Sequence, residues 1–529
     1  MLCPGSGRKN KNIVVELSLD YANLPFSGKT SDPIFAQNRL QVIEKGRQQL
    51  QIEYKSLNKI ILRKGTTAME QYTGFSAHAS LATIGLWMKE KEIWKKIEEQ
   101  VTIKQKTIKH TPHDKLKDVF INILSGGRGL VEINHRVRSD KALQMAFGRV
   151  ACAEQSVASE TLNACTEMSV QQMEEVARTI YQEFSQGYRH DYEAGYLLLD
   201  IDLTGLLAGK QAEGSTKGYF SGAKNARGRQ LGRVSASQYA EVVCEQLYDG
   251  KVQLEKCLPG LVEMAEKVLN LDENRRKRKI LRVDGGGGTD GNINWGLLRG
   301  YYWISKVKNR QRTSKLVAPI TDWQIIPELA GHEVAWAPTP HGYEQPMRQL
   351  AVRWPKPKGD WHYCVLVFNL SDEMIFGLAG LPPAGQAGQT MSGTPTEREL
   401  LSAIMKVYDL RGGGVETSFK NSKQGLGLNK RNKKKFHAQH MLVLLAQLAY
   451  NIISWVRNEL SKHKPEMAHF GMLRMIRDAF AISGTLQFDQ KGDLVLVVLN
   501  QAHKLAKTFY ETWQSTFARD NLSLILGEI

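Results

Sequence analysis

Two apolar runs closed by acids interrupt an otherwise mixed hydropathy pattern: Gly195-Tyr-Leu-Leu-Leu-Asp200-Ile-Asp202-Leu-Thr204 and Ile280-Leu-Arg-Val-Asp284. Unbroken runs of this length predict strands buried on both faces, ending at a polar site. Three later stretches, Val334-Ala-Trp336, Gln349–Trp354 and Trp361–Asn369, alternate or run apolar and predict further strands. Helical spacing instead marks Leu400, Leu401, Ile404, Met405, Val407 and Tyr408. Thr394, Pro395 and Glu397 predict the start of that helix as a capping box, and glycines 412–414 predict its end. A second helix is expected from about Val415.

Elsewhere the pattern is mainly helical. Leu81–Lys104 reads as an amphipathic helix, and Ser169-Val-Gln-Gln172 as the cap of a helix through Phe184. Ser235-Ala-Ser-Gln238 is expected to cap a helix containing Val242, Val243 and Leu247. Further helices are expected at Asn294–Tyr302, Phe436–Leu460, Met472–Ile482 and Gln501–Phe517, with a hairpin around Gln490–Asp493 and an early strand at Ile13–Leu19. Two short helical patterns around Gly148 fit either a helix-turn-helix or ordinary packing. Lys217–Gln230 is glycine-rich and basic, and reads as a hairpin facing phosphate or as a plain exposed one.

Composition narrows the partner. The chain has 529 residues, a net charge of +17 and 24% charged residues, which together point to several domains and a polyanion such as nucleic acid. The six cysteines (3, 152, 165, 244, 257, 364) are scattered without metal-like spacing, as reduced thiols of a cytoplasmic protein would be. Met441–Trp455 is the most apolar stretch but contains Gln447 and Asn451, so no membrane span is expected. His437 and His440 share a helical face but have no acids near them in sequence. Gly285–Gly288 lacks the lysine and spacing of a phosphate-binding loop.

The densest chemistry lies in Tyr408-Asp-Leu-Arg411-Gly-Gly-Gly-Val-Glu416-Thr-Ser-Phe-Lys-Asn-Ser-Lys423. Glu416, Lys420 and Lys423 fall on one helical face, which taken alone is an ordinary exposed Glu–Lys ladder. The order Tyr408, Arg411, Glu416, Lys423 resembles the YREK signature of IS4-superfamily DDE transposases, IS1380-like members among them. It has one extra residue between Arg411 and Glu416. Asp202-Leu-Thr204 is similar to the triplet at that superfamily's first acid, and Arg282-Val-Asp284 to the motif at its second.

The resemblance implies an α/β protein. Its catalytic core would be RNase H-like, a mixed sheet flanked by helices, interrupted by a mainly β insertion and preceded by a helical N-terminal region. The segments would be 1–190, helical and DNA-binding; 191–310, the first part of the core; 311–393, insertion and linker; 394–460, the second part of the core; and 461–529, a helix-hairpin-helix region. Asp202, Asp284 and Glu416 would be the catalytic and metal-binding acids, with Asp200 the alternative to Asp202. Tyr408, Arg411, Lys423 and Arg282 would meet DNA. Hard carboxylate oxygens select Mg²⁺ or Mn²⁺, here two ions. The partners would be double-stranded DNA, as terminal inverted repeats and target, and a second copy of the chain. Insertion tryptophans (Trp323, Trp336, Trp354, Trp361) would be candidates to hold a flipped base, or simply core. A metal-dependent nuclease without strand transfer and a decayed DNA-binding protein are the competing readings.

Overall fold

The computed structural model describes residues 71–529, apart from 221–222, 224, 327, 330, 358, 381–395 and 519–521. The expected strand at Ile13–Leu19, Cys3, and the proposed caps Thr394 and Pro395 lie outside the described residues. Among the described residues the first strand is β1 (Tyr72–Ser76), followed by helices up to Glu167–Phe184. The core strands are β2 (Leu197–Leu207), β3 (Thr216–Lys217), β4 (Arg227–Ala236), β5 (Glu241–Asp249), β6 (Lys279–Val283) and β7 (Tyr302–Lys306). After them come β8 (Gln324–Ile325), β9 (Glu333–Trp336), β10 (Arg348–Pro355) and β11 (Trp361–Phe368). Near the C-terminus lie β12 (Gly484–Phe488), β13 (Leu494–Asn500) and β14 (Ser523–Gly527).

The core is a mixed sheet in which β5, β4, β2, β6 and β7 lie side by side, with β2, β6 and β7 parallel and β4 antiparallel to β2. This is the RNase H-like strand order. Both faces are covered, which explains the unbroken apolar run of β2. Leu197, Leu199 and Ile201 pack with helix Leu254–Leu269 on one face. Leu198 and Ile280 pack on the other, against helices Asp372–Ala379 and Glu397–Arg411. Period-two alternation therefore puts Asp200 and Asp202 on the face that carries helix Glu397–Arg411. Strands β8 to β11 form no separate sheet: β11 pairs with β7, and β10, β9 and β8 extend the same sheet.

Several local expectations are corrected. Val242, Val243 and Leu247 lie in β5, not in a helix. Val242 and Leu247 face one core and Val243 another, so both faces of the strand are buried, and a β-bulge at Val234/Ser235 adjusts the register. Helix Glu397–Arg411 is capped by Thr396 with Glu399, and helix Glu167–Phe184 by Thr166 with Ser169. Leu81–Lys104 divides into Ala79–Glu90 and Ile93–Gln100 because Glu92 adopts a left-handed φ of 51°. Lys279, the first residue of β6, is fully buried over the Tyr192 ring at 3.7 Å, and burial pushes its ammonium down to about 7. β1 was unexpected among helices; it pairs with β12, in a sheet that ends with the equally unexpected β14.

Helix Phe436–His463 is buried on nearly all sides. Its polar residues serve the outer edge of β5: Asn451 accepts from Val242 N at 2.9 Å and donates to Val242 O at 2.8 Å. Among the described residues no helix is long and apolar enough to cross a membrane. The five described cysteines are free thiols.

Two buried arginines fasten the chain after Glu397 to this sheet. Arg282 on β6 donates to both oxygens of Asp200 on β2, at 2.5 and 2.7 Å, and to Val407 O of helix Glu397–Arg411. Arg233 on β4 donates to Glu245 on β5 at 2.7 Å and to Ser418 Oγ and Ser422 Oγ at 2.8 Å each. Both guanidinium groups are fully buried. Glu245→Ala strands the Arg233 charge and is expected to cost roughly 3–5 kcal/mol in urea unfolding. The double variant Arg233→Met/Glu245→Leu should recover most of that loss.

Candidate functional site

The parallel register of β2 and β6 pairs Asp200 with Arg282 and Ile201 with Val283. There β6 ends and Asp284 follows it, while Asp202 stays within β2, opposite Arg233 of β4, and the two carboxylates are close enough for Asp284 to raise Asp202. Asp202 is largely buried and accepts from Leu203 N at 2.8 Å. Burial is the main cause that raises its carboxyl to about 6. Arg411 opposes the rise, while Asp284 and Glu416 add to it.

Arg411 joins the acids across sequence. Its guanidinium is 2.5 Å from Asp202 Oδ2 and 2.6 Å from Glu416 Oε1. Arg411 is buried, whereas the Glu416 side chain is 58% exposed and therefore open to a ligand. The glycines between them interrupt the helix, as expected: at Gly414 the backbone leaves helical geometry (φ −85°, ψ −105°), and a second helical stretch carries Val415 and Glu416 into Thr417–Lys420. Gly414 must lack a side chain, because a Cβ would lie 2.4 Å from Asp200 Oδ2 and 2.6 Å from Ser237 Oγ.

Lys423 donates to Thr204 Oγ1 at 2.6 Å, which brings the last residue of the four-residue signature onto the Asp202-Leu-Thr204 strand end. Burial lowers the Lys423 ammonium, as does Arg233, and Asp202 partly restores it. Tyr408 is buried, with Lys306 Nζ 5.1 Å from its ring centroid, and burial holds its hydroxyl far above the ordinary range.

Two of the expected residues play other parts. Arg282 does not face DNA: it is wholly buried and its donors are taken by Asp200 and Val407. Asp200 is equally buried, and its oxygens are engaged by Arg282 and by Ser237 Oγ, which leaves Asp202 as the accessible acid of the pair. The glycine run after Asp284 serves packing. A Cβ on Gly288 would meet Lys306 O at 2.3 Å, and one on Gly287 would meet Val283 at 2.6 Å. His440, with no acid near it in sequence, is 3.5 Å from Glu174 in space, and burial pushes it down to about 4. Trp323 and Trp361 sit 4.3 and 4.4 Å from the Arg353 guanidinium, and Trp354 stacks on His362.

Arg233, Ser418, Thr204 and Lys306 were missed as positioning residues. Lys306 had one readable signal, its place at the end of the strand beside β6. Among the described residues, no three His, Cys, Asp or Glu side chains already converge as a metal-binding group. The donor set nonetheless suits a hard divalent cation. Asp202 and Glu416 already share one cationic partner in Arg411, and burial raises the cost of leaving Asp202 ionised without one.

The raised Asp202 value has a consequence for stability. Because the fold takes up this proton more readily than the unfolded chain, ionising Asp202 withdraws stability as pH rises from about 4 to about 6. Asp202→Asn is therefore expected to be more stable than wild type by roughly 1–3 kcal/mol above pH 6. The advantage should vanish below about pH 4. Thermal or urea unfolding across that pH range measures it.

Among solved structures, the chain is similar to the cryo-EM structure of the piggyBac transposase synaptic complex with hairpin DNA. The TM-score is 0.39 and the identity 12%, over 78% of this chain and 83% of that one. No curated protein is similar in sequence. Residues 193–452, the stretch that holds Asp202, Asp284, Arg411, Glu416 and Lys423, match the family model of the transposase DDE domain.

Proposed function

We propose that this protein is a DDE transposase that cleaves DNA at the ends of an insertion sequence and transfers the cut strand to target DNA. One observation carries the reading: Arg411 ties Glu416 to Asp202, on the strand beside the one that Asp284 follows. On this reading three acids distant in sequence serve one place.

Asp202, Asp284 and Glu416 are the residues that hold divalent cations, Mg²⁺ or Mn²⁺ and two in number. Such ions activate the attacking hydroxyl and stabilise the leaving oxygen of a phosphodiester. The chain's own groups do the rest. Arg411 balances the acids and meets the phosphate brought to them, and Lys423, fixed by Thr204, adds a second positive charge beside Asp202. Tyr408 sits under Lys306 and lines the same place. Arg282 and Asp200 hold the scaffold. The +17 net charge supplies the wider attraction for DNA, with the N-terminal region as a further DNA-binding part. The enzyme acts as a homodimer on paired inverted repeats, in the cytoplasm of a bacterium.

The test is cleavage of DNA flanking the gene by purified full-length protein with Mg²⁺. Asp284→Asn and Glu416→Gln are expected to lower cleavage on the order of a hundredfold or more while DNA binding persists. Cleavage unchanged in Glu416→Gln removes that residue from the site. Cutting without strand joining identifies a nuclease instead.

A further inference from the structure

On the far side of the kinked Gly412–Glu416 turn lies a cavity of about 270 Å³. Gly413, Gly414 and Thr417 form one wall, Ser235 of β4 another, and Arg457 of helix Phe436–His463 a third. Arg457 is only 6% exposed. One of its nitrogens donates to Phe470 O at 3.2 Å, while its Nε is buried without a hydrogen-bond partner. Burial is the dominant influence on this guanidinium, opposed only by the Tyr450 hydroxyl, and no carboxylate offsets it. Ser235 Oγ is likewise buried without a partner.

A buried charge is ordinarily paired and a buried donor ordinarily bonded. Arg282, Arg233 and Arg149 obey this rule with carboxylates, and Arg229 and Arg431 with three and two backbone carbonyls, whereas Arg457 has a single carbonyl partner. Glu241 also lines the cavity, but its carboxylate is committed to Gln186 N, Gly187 N, Tyr181 Oη and Trp455 Nε1. What remains is a small donor-rich chamber with one uncompensated guanidinium, the chemistry that recognises a tetrahedral oxyanion.

We propose that this cavity binds a phosphate group, and that the bound oxyanion braces the kinked turn between Arg411 and Glu416 from behind. The phosphate is either free or a phosphodiester of bound DNA. The site is separate from the three acids and stands whether or not they hold a metal.

The test compares thermal unfolding of full-length wild type, Arg457→Met and Ser235→Ala. Inorganic phosphate is titrated against chloride at matched ionic strength. Phosphate is expected to raise the wild-type midpoint, and Arg457→Met to weaken its binding roughly tenfold to a hundredfold. In chloride alone Arg457→Met should be at least as stable as wild type, because it removes a buried unpaired charge. Ser235→Ala should reduce the phosphate response and keep the fold. A response equal in all three proteins, or none in wild type, overturns the proposal. So does an Arg457→Met variant destabilised in chloride whose phosphate response is unchanged. A short DNA duplex separates the two sources: if it abolishes the further effect of phosphate, the occupant is a DNA phosphodiester, and if the effects add, it is free phosphate.

Discussion

Arg282 and Arg233 are fully buried cations, and a cation removed from water must find its partners inside the protein. Each meets a carboxylate on the next strand and then reaches out of the sheet, to Val407 in one case and to Ser418 and Ser422 in the other. Those three residues bracket Arg411 and Glu416. The two ion pairs therefore set the height and direction at which the segment after Glu397 crosses the strand ends. The candidate site depends on that placement, since Asp202 and Asp284 belong to the sheet and Glu416 does not.

Glycine completes the arrangement by letting the backbone come closer than any side chain would allow. Gly414 packs directly against Asp200 and Ser237, so the kinked turn rests on the buried ion pair. The break at Gly414 sets the direction of the stretch that brings Glu416 to the Arg411 guanidinium. Burial then makes the charges interdependent. Asp202 resists ionisation because it is desolvated among other carboxylates, and Arg411 moderates this. A site of this kind stores unfavourable charge that a cation relieves, a trade of stability for chemistry.

The same segment has the acid site on one side and the Arg457 cavity on the other. A break at Gly414 and a π-type turn at Asn421–Gly425 sit on either side of the short helix Thr417–Lys420. Departures of this kind re-aim the side chains that follow them. Helix Phe436–His463 connects the parts: it supplies Arg457 to the cavity and Asn451 to the edge of β5, and it packs in the core shared by the N-terminal and C-terminal helices.

The local pattern of the chain was enough to place the strands that carry Asp202 and lead to Asp284, though not their ends, because a strand covered on both faces must be apolar throughout. The order of Tyr408, Arg411, Glu416 and Lys423, with its chemistry of acid and base, was legible for the same reason: it is contiguous. β5 was misread because Val242, Val243 and Leu247 face two different cores, and a strand buried on both sides has no periodicity to show. Arg282 and Asp200 looked like site residues because their types suit a site. Only the register of β2 on β6 shows that they neutralise each other. Sequence by itself determined which groups are present and which strands carry them. Tertiary structure alone decided which charges are spent on holding the sheet and which remain for chemistry, because pairing between buried charges is settled by distance in space and not by spacing along the chain.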